Sequence, residues 1–169
     1  MKLSKKQKRS LYKFLLTVLV LTAILIYSRY YKKDTHNDKT ALDKPAIKCV
    51  DGDTFWLDDV KIRLIAIDAP EISGEAQPYG KEASDLTCSL LKNAKTIELD
   101  SDEGNTEDQY GRKLYWVLVD GELLQVHLLK QGYAQIRYVD EKTIDPDYYT
   151  QMKNAQKEAQ KQQLGIWQP

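Results

Sequence analysis

The chain has 169 residues, of which 42% are hydrophobic and 30% are charged, a composition typical of one folded domain with an additional segment. Twenty-five basic residues balance twenty-five acidic ones, but residues 1–33 hold nine basic residues and no acidic one, which leaves sixteen basic and twenty-five acidic residues beyond. Such an acidic body excludes a domain that binds nucleic acid over its whole surface by neutralising phosphates. Any site for a polyanion therefore has to be local.

The N-terminal part of the chain resembles a membrane-targeting segment. Residues 1–10 form a basic leader, and residues 11–31 are largely apolar, with an uncharged run from Phe14 to Tyr27. This length approaches the ~20 residues that cross a bilayer, so we predict an N-terminal hydrophobic helix that anchors a single-pass protein in the cell membrane. A cleaved secretory signal is the alternative. The basic excess before the apolar run predicts a cytoplasmic N-terminus, with the domain outside the cytoplasm, or secreted after cleavage.

A polar linker is predicted over residues 32–45, and a folded domain over residues 46–169. The two cysteines, Cys49 and Cys88, would face an oxidising compartment. A disulfide is possible there, but a single pair of cysteines leaves free thiols as an equal alternative. With only two histidines and no metal-ligand spacing, the sequence indicates no zinc site.

The domain shows strand patterns first and helical patterns later. Short strand-like runs predict strands at 47–50, 54–57 and 95–100, and apolar alternation predicts strands at 60–67 and 112–119. Helical spacing predicts helices over 79–93, after Gly121 as far as Gly132, and over 148–165. Five strands with three helices predict an α+β, mainly β fold, a five-stranded OB-fold barrel with three helices packed outside. Another α+β sheet remains an alternative.

Charged residues interrupt these apolar runs at informative places. Arg63 lies within the third predicted strand, and Asp68 and Glu71 follow where Pro70 must end it. If the second and third strands are antiparallel neighbours, the start of one lies beside the end of the other, and Asp53 meets Asp68. Two carboxylates in contact repel unless a cation or a proton lies between them, and oxygen ligands favour Ca²⁺ or Mg²⁺.

An arginine beside such a pair is suited to binding a phosphate that also contacts the metal ion. Arg63 is one such residue, and Arg112, at the start of the fifth predicted strand, is a second. Together with the acidic residues they predict one site for a divalent cation and a phosphate.

Four motifs in order, "DGDT", "IRLIAIDAPE", "YGKEAS" and "YGRKLYWV", resemble the thermonuclease family, the staphylococcal-nuclease-like phosphodiesterases. The resemblance runs from about Ala46 to Trp167. It implies an OB-fold barrel with three helices and one Ca²⁺-dependent site that hydrolyses DNA and RNA.

The resemblance also implies roles for individual acidic residues. Asp53 and Asp68 would hold Ca²⁺ together with the backbone carbonyl of Ala69, and Glu71 would orient or deprotonate the attacking water. Asp51 is expected to be a turn residue instead of a primary ligand, because Asp-Gly turns are common.

The remaining roles concern the substrate. Arg63 and Arg112 would bind the phosphate and stabilise the pentacoordinate transition state. Tyr110 and Tyr138 are the favoured candidates for stacking on bases, with Tyr79 a third.

Three departures from the family pattern concern charge. The loop after Glu71 lacks lysines, Gln109 precedes Tyr110 where a lysine is common, and Asp140 stands where a second aromatic residue is often found. These changes predict looser nucleic-acid binding and a steeper salt dependence than in basic relatives.

The sequence thus predicts a membrane-tethered or secreted nuclease that acts as a monomer. Two alternatives stay open at this point: a non-catalytic OB-fold module that binds nucleic acid or protein at the cell surface, and an adhesion or envelope-assembly protein with the same fold.

Overall fold

The computed structural model describes residue 18 and the ranges 20–22, 45–102 and 104–169. The chain divides into two units, Met1–Asp43 and Lys44–Pro169. Most of the predicted leader, anchor and linker lies outside the described residues, so these assignments stay predictions. Within the described ranges, no helix combines the length and the hydropathy that a bilayer-spanning segment needs.

Residues 45–102 and 104–169 form eight strands, three α-helices and one 3₁₀ turn. The strands are β1 (Ile47–Cys49), β2 (Thr54–Leu57), β3 (Val60–Leu64), β4 (Ile67–Asp68), β5 (Ile97–Asp100), β6 (Lys113–Val119), β7 (Glu122–Leu123) and β8 (Gln135–Ile136). The helices are α1 (Gly80–Asn93), α2 (Leu124–Lys130) and α3 (Pro146–Lys161), and the 3₁₀ turn is Gly165–Trp167.

The strands form a mixed sheet in the order β1-β2-β3-β6-β5, with β7 paired to β6, and a separate pair of β4 and β8. β3 and β6 are parallel, and the other neighbours are antiparallel. The predicted α+β class and the three predicted helices are confirmed. The pairing path described for this unit runs from β1 to β5 without closing, so the five-stranded barrel is not confirmed.

The third predicted strand, residues 60–67, is divided in two. Ala66 has a φ of 59°, in the left-handed region that non-glycine residues rarely adopt. This turn ends the pairing of β3 with β6 and lets β4 pair with β8 instead, with Ile67 opposite Ile136. The prediction of one continuous strand was therefore wrong, because apolar alternation does not report a local reversal of the backbone.

The core lies between the sheet and the helices. α2 is buried along most of its surface, so its apolar residues do not follow a single stripe. Its buried Gln125 donates a hydrogen bond to the carbonyl of Tyr115 (3.1 Å), which satisfies a polar group inside the core. α3 presents Met152, Ala155 and Ala159 to the same core.

The helix ends follow ordinary capping rules. The Asp145 side chain accepts hydrogen bonds from the backbone of Asp147 (2.9 Å) and Tyr148 (2.8 Å) at the start of α3. After α2, Gly132 has a φ of 66°, and a Cβ there would lie 2.2 Å from the carbonyl oxygen of Leu164. The predicted stop at Gly132 is confirmed, and it also allows the C-terminal segment to cross closely.

A disulfide joins Cys49, the last residue of β1, to Cys88 in α1, with 5.9 Å between their Cα atoms. Of the two alternatives left open by the sequence, a disulfide or two free thiols, the structure shows the disulfide. It connects the sheet to the helix that supports the loop of residues 51–53.

Replacing both cysteines with serine is expected to lower the free energy of unfolding by about 4 kcal/mol. The disulfide joins residues 39 apart in sequence and so reduces the conformational entropy of the unfolded chain. Denaturant unfolding with and without a reducing agent measures this. The reducing agent should destabilise the wild-type protein and leave the double variant unchanged. A difference under about 1 kcal/mol would contradict the expectation.

Candidate active site

One open cavity of about 700 Å³ contains the predicted charged residues and both favoured tyrosines. Its lining includes Asp53, Arg63, Asp68, Glu71, Arg112, Tyr110 and Tyr138. These residues come from the loop before β2, from β3 and β4, and from the segments around β6 and β8. The predicted convergence of residues sixty positions apart is therefore present in the structure, while their chemical roles remain predictions.

The loop that carries Asp53 is held from three sides. The backbone N–H of Asp53 donates to the Asp51 carboxylate (3.1 Å), so Asp51 forms a turn, as predicted. The Thr87 hydroxyl of α1 donates to the carbonyl of Gly52 (2.6 Å). A Cβ on Gly52 would lie 2.6 Å from the Cβ of Ala83, so α1 approaches this loop as closely as a glycine permits.

Asp53 is only 5% exposed, and its two oxygens have different partners. Oδ2 accepts a hydrogen bond from the backbone N–H of Ala69 (2.7 Å), and Oδ1 accepts one from the Thr54 hydroxyl (3.0 Å). Burial raises the pKa of this carboxyl to about 6, although the neighbouring Arg63 guanidinium acts to lower it. The carboxylate is thus a desolvated negative charge at the base of the cavity.

Arg63 connects the two predicted metal ligands. It is 8% exposed and lies opposite Thr54 in the β2–β3 pair. Its Nη1 forms an ion pair with Asp53, and its Nη2 lies 3.3 Å from Oδ1 of Asp68. Nη1 is buried and, apart from its ion pair with Asp53, has no hydrogen-bond partner in the described ranges. The guanidinium therefore keeps N–H groups for a further acceptor.

Arg112 is positioned by Asp108, a residue that the sequence analysis did not identify. The Asp108 carboxylate accepts hydrogen bonds from the backbone N–H groups of Tyr110 (2.9 Å) and Arg112 (3.0 Å) and from Nε of Arg112 (2.6 Å). Burial acts to raise the pKa of Asp108, but these hydrogen bonds outweigh it and hold the pKa below its usual range. The signal in the sequence was the turn "DQYG" before the arginine.

Arg112 also faces the Asp53 side of the cavity. Its Nη1 lies 3.5 Å from the Thr54 hydroxyl, which itself donates to Asp53. Arg63 in β3 therefore contacts the Asp53 carboxylate directly, whereas Arg112, just before β6, approaches it through the Thr54 hydroxyl.

The two favoured tyrosines are unusually exposed for large aromatic residues, 75% for Tyr110 and 70% for Tyr138. The guanidinium of Arg112 lies 5.5 Å from the Tyr110 ring centroid. Tyr79 does not line the cavity: its hydroxyl donates to Gln168 (2.7 Å) and its ring stacks on Tyr133. The structure thus places Tyr79 in packing contacts outside the cavity, and its role in base stacking stays an untested prediction.

Glu71 has a fixed backbone and an exposed side chain. Its carbonyl accepts a hydrogen bond from the N–H of Gln77 (2.9 Å), and its own N–H donates to the Gln77 side chain (3.2 Å). Throughout the described part of the domain, the Glu71 carboxylate meets no hydrogen-bond or ion-pair partner. It is free to contact a water molecule or a substrate in the cavity.

A third arginine, Arg137, was missed by the sequence analysis. Its Nη1 lies 4.0 Å from Oδ2 of Asp68, and its guanidinium lies 5.5 Å from the Tyr138 ring centroid. In the sequence, only its position directly before Tyr138, a candidate for base stacking, could have indicated a role at the site.

The donor set fits a hard divalent cation with few protein ligands. Asp53 and Asp68 lie on either side of one guanidinium, so both carboxylates already share a positive charge. No group of three or more Asp, Glu, His or Cys in the described ranges is close enough to hold a metal ion by side chains alone. A cation here would need two carboxylates together with backbone, water or substrate oxygens, as hard cations accept.

Comparisons with known proteins show which family the chain resembles. A family model described as "Staphylococcal nuclease homologue" matches residues 61–169. The chain is 32% identical to the thermonuclease of Staphylococcus intermedius and 34% identical to that of Staphylococcus hyicus, in each case over 89% of this chain and 94% of the relative. It is 36% identical to the SPbeta prophage-derived endonuclease YokF of Bacillus subtilis, over 76% of this chain and 45% of that protein.

Proposed function

The chain belongs to the staphylococcal nuclease homologue family and is a nuclease that hydrolyses phosphodiester bonds, and from this premise we propose that it is a Ca²⁺-dependent enzyme acting on DNA and RNA. The observation that carries the proposal is the position of Arg63 between Asp53 and Asp68 in a cavity that Arg112 also lines. This arrangement places fixed positive charge beside two acidic oxygen donors.

The arginines supply transition-state stabilisation. A phosphodiester resists attack because it is negatively charged, and further negative charge develops on its oxygens as the nucleophile adds. Arg63 and Arg112 each present a planar guanidinium to the cavity, and both are held by carboxylates before substrate arrives. Little reorganisation is then needed during the reaction, which is the main advantage of preorganised charge.

Glu71 activates the attacking water in this proposal. Its carboxylate is exposed in the cavity and has no partner in the described residues, so it can accept a proton from a bound water molecule. Its backbone is tied to Gln77, which limits the positions that the carboxylate can reach.

Asp53, Asp68 and the backbone carbonyl of Ala69 would hold Ca²⁺. When bound, the ion would add positive charge beside the phosphate and help to orient it. Ala69 is adjacent to Asp53 in space, since its N–H donates to that carboxylate.

Tyr110 and Tyr138 would stack on nucleotide bases at the mouth of the cavity. An arginine guanidinium lies over one face of each ring, but the high exposure leaves the opposite face available, and base stacking on tyrosine tolerates every base. We therefore expect weak sequence preference.

The proposal includes a location and a fold detail. The basic leader and apolar run support a domain tethered outside the cytoplasm, or secreted, and the Cys49–Cys88 disulfide suits an oxidising compartment. The β1-β2-β3 meander supports an OB-type arrangement, and we expect the enzyme to act as a monomer.

The direct test is cleavage of denatured DNA and of RNA by the full-length protein. We expect cleavage with Ca²⁺, and loss of cleavage with a chelator that returns when Ca²⁺ is restored. Equal activity in both conditions would contradict the Ca²⁺ dependence. Binding of both polymers without any cleavage would instead support the non-catalytic alternative.

A further inference from the structure

We propose that Arg137 binds a phosphate of the substrate strand next to the scissile one, on the side of the cavity where Tyr138 lies. The inference rests on the proposed nuclease function and adds a substrate contact to it. Arg137 is thereby assigned to substrate affinity, whereas Arg63 and Arg112 are assigned to the reacting phosphate.

The backbone places Arg137 at the edge of the site. β8 pairs with β4 so that Gln135 lies opposite Asp68, and the N–H of Arg137 donates to the carbonyl of Ala66 (3.0 Å). Arg137 thus follows Ile136, which lies opposite Ile67, and is two residues beyond the Asp68–Gln135 pair. It is brought there by the same turn at Ala66 that divides the predicted third strand.

The conformation of Tyr138 brings its ring and the Arg137 guanidinium together. Successive side chains of a regular strand point to opposite faces. Tyr138 has a φ of 55°, which breaks this alternation, and the guanidinium lies over its ring at 5.5 Å. A base stacked on Tyr138 would therefore have its phosphate within reach of Arg137.

The contacts of Arg137 contribute little to the fold. Its side chain is 55% exposed, and its distance of 4.0 Å from Asp68 is at the outer limit of an ion pair. Exposed ion pairs of this kind contribute little to stability. The guanidinium can leave Asp68 for a phosphate, whose two non-bridging oxygens can accept paired hydrogen bonds from the planar guanidinium.

The distribution of arginine supports the same assignment. Between residues 45 and 169 the sequence has three arginines, and every other basic side chain apart from His127 is a lysine. Arg63 and Arg112 line the cavity, and Arg137 contacts Asp68 and Tyr138, which also line it. In an acidic domain, a third arginine beside the cavity supplies local positive charge for a polyanionic substrate.

The test compares the full-length wild type with the Arg137→Gln variant on two single-stranded substrates: a dinucleotide with one phosphodiester and no terminal phosphate, and an oligonucleotide of about ten nucleotides. We expect KM for the oligonucleotide to rise about three- to tenfold with kcat nearly unchanged, as for loss of one charged hydrogen-bonded contact. The dinucleotide kinetics should not change.

Salt dependence gives a second readout. For the oligonucleotide, the slope of log KM against log salt should fall by about 0.7, the value for one phosphate contact on a single strand, and Arg137→Lys should restore most of it. Lys153→Gln is the matched control, because Lys153 lies over the Tyr149 ring (4.5 Å) on α3 and does not line the cavity. It should behave as wild type.

Two results would overturn the proposal: an equal loss on both substrates, which would place Arg137 at the reacting phosphate, or no loss on either, which would make it a surface residue. If the wild type cleaves neither substrate, the nuclease proposal fails. Fluorescence anisotropy of the labelled oligonucleotide then still decides whether Arg137 contributes affinity and the same change in salt slope.

Discussion

Arg63→Lys is expected to lower kcat by about 10²–10³-fold while the protein stays folded. The substitution keeps one positive charge near Asp53 but removes the planar fork that reaches both Asp53 and Asp68. A comparable loss follows removal of one preorganised donor at a transition-state oxyanion. Steady-state kinetics on an oligonucleotide, at saturating substrate and Ca²⁺, measures the change.

Arg63→Gln is the comparison that separates charge from geometry. It removes the cation between two carboxylates, one of which is 5% exposed, and breaking a buried ion pair costs about 3–5 kcal/mol. It also removes the charge that holds down the pKa of Asp53, so this carboxyl takes up a proton more readily at neutral pH. We expect a lower unfolding free energy for Arg63→Gln than for Arg63→Lys. A loss of less than fivefold in kcat for Arg63→Lys would show that the fork is not needed.

Glu71→Gln is expected to lower kcat by about 10²–10⁴-fold, the range typical of losing a general base. The amide has nearly the same shape as the carboxylate but cannot accept the proton of the attacking water. Because the Glu71 side chain is exposed and has no partner in the described ranges, the unfolding free energy should change by less than about 0.5 kcal/mol. Activity and denaturant unfolding on the same preparation separate the two effects.

Glu75→Gln is the matched control for Glu71→Gln. Glu75 is an exposed acid in the same loop, and it does not line the cavity. The control variant should retain wild-type kcat, whereas Glu71→Gln should show the loss given above. Equal impairment of both variants would show that loop charge, and not proton transfer, accounts for the effect.

Local patterns in the sequence were sufficient for most elements and for five charged residues of the cavity, but not for Asp108 or Arg137. The strand-like run at 54–57 and the apolar alternation at 112–119 predicted β2 and β6 within one residue, and the helical spacing at 79–93 predicted α1. Burial of one face gives apolar residues a period of two in a strand and of about 3.6 in a helix, so both patterns can be recognised in the sequence alone. Arg63 and Asp68 were found because a charge in an apolar strand, and one at its end, is unusual.

The tertiary structure alone decided the features that depend on contacts distant in sequence. The left-handed turn at Ala66, the pairing of β4 with β8 and the position of Arg137 arise together, since a backbone reversal is stable only when surrounding packing holds it. The Cys49–Cys88 pairing likewise required the distance between β1 and α1. Sequence periodicity reports which face of an element is buried. Which elements meet, and therefore which charges share one cavity, depends on how the chain packs in three dimensions.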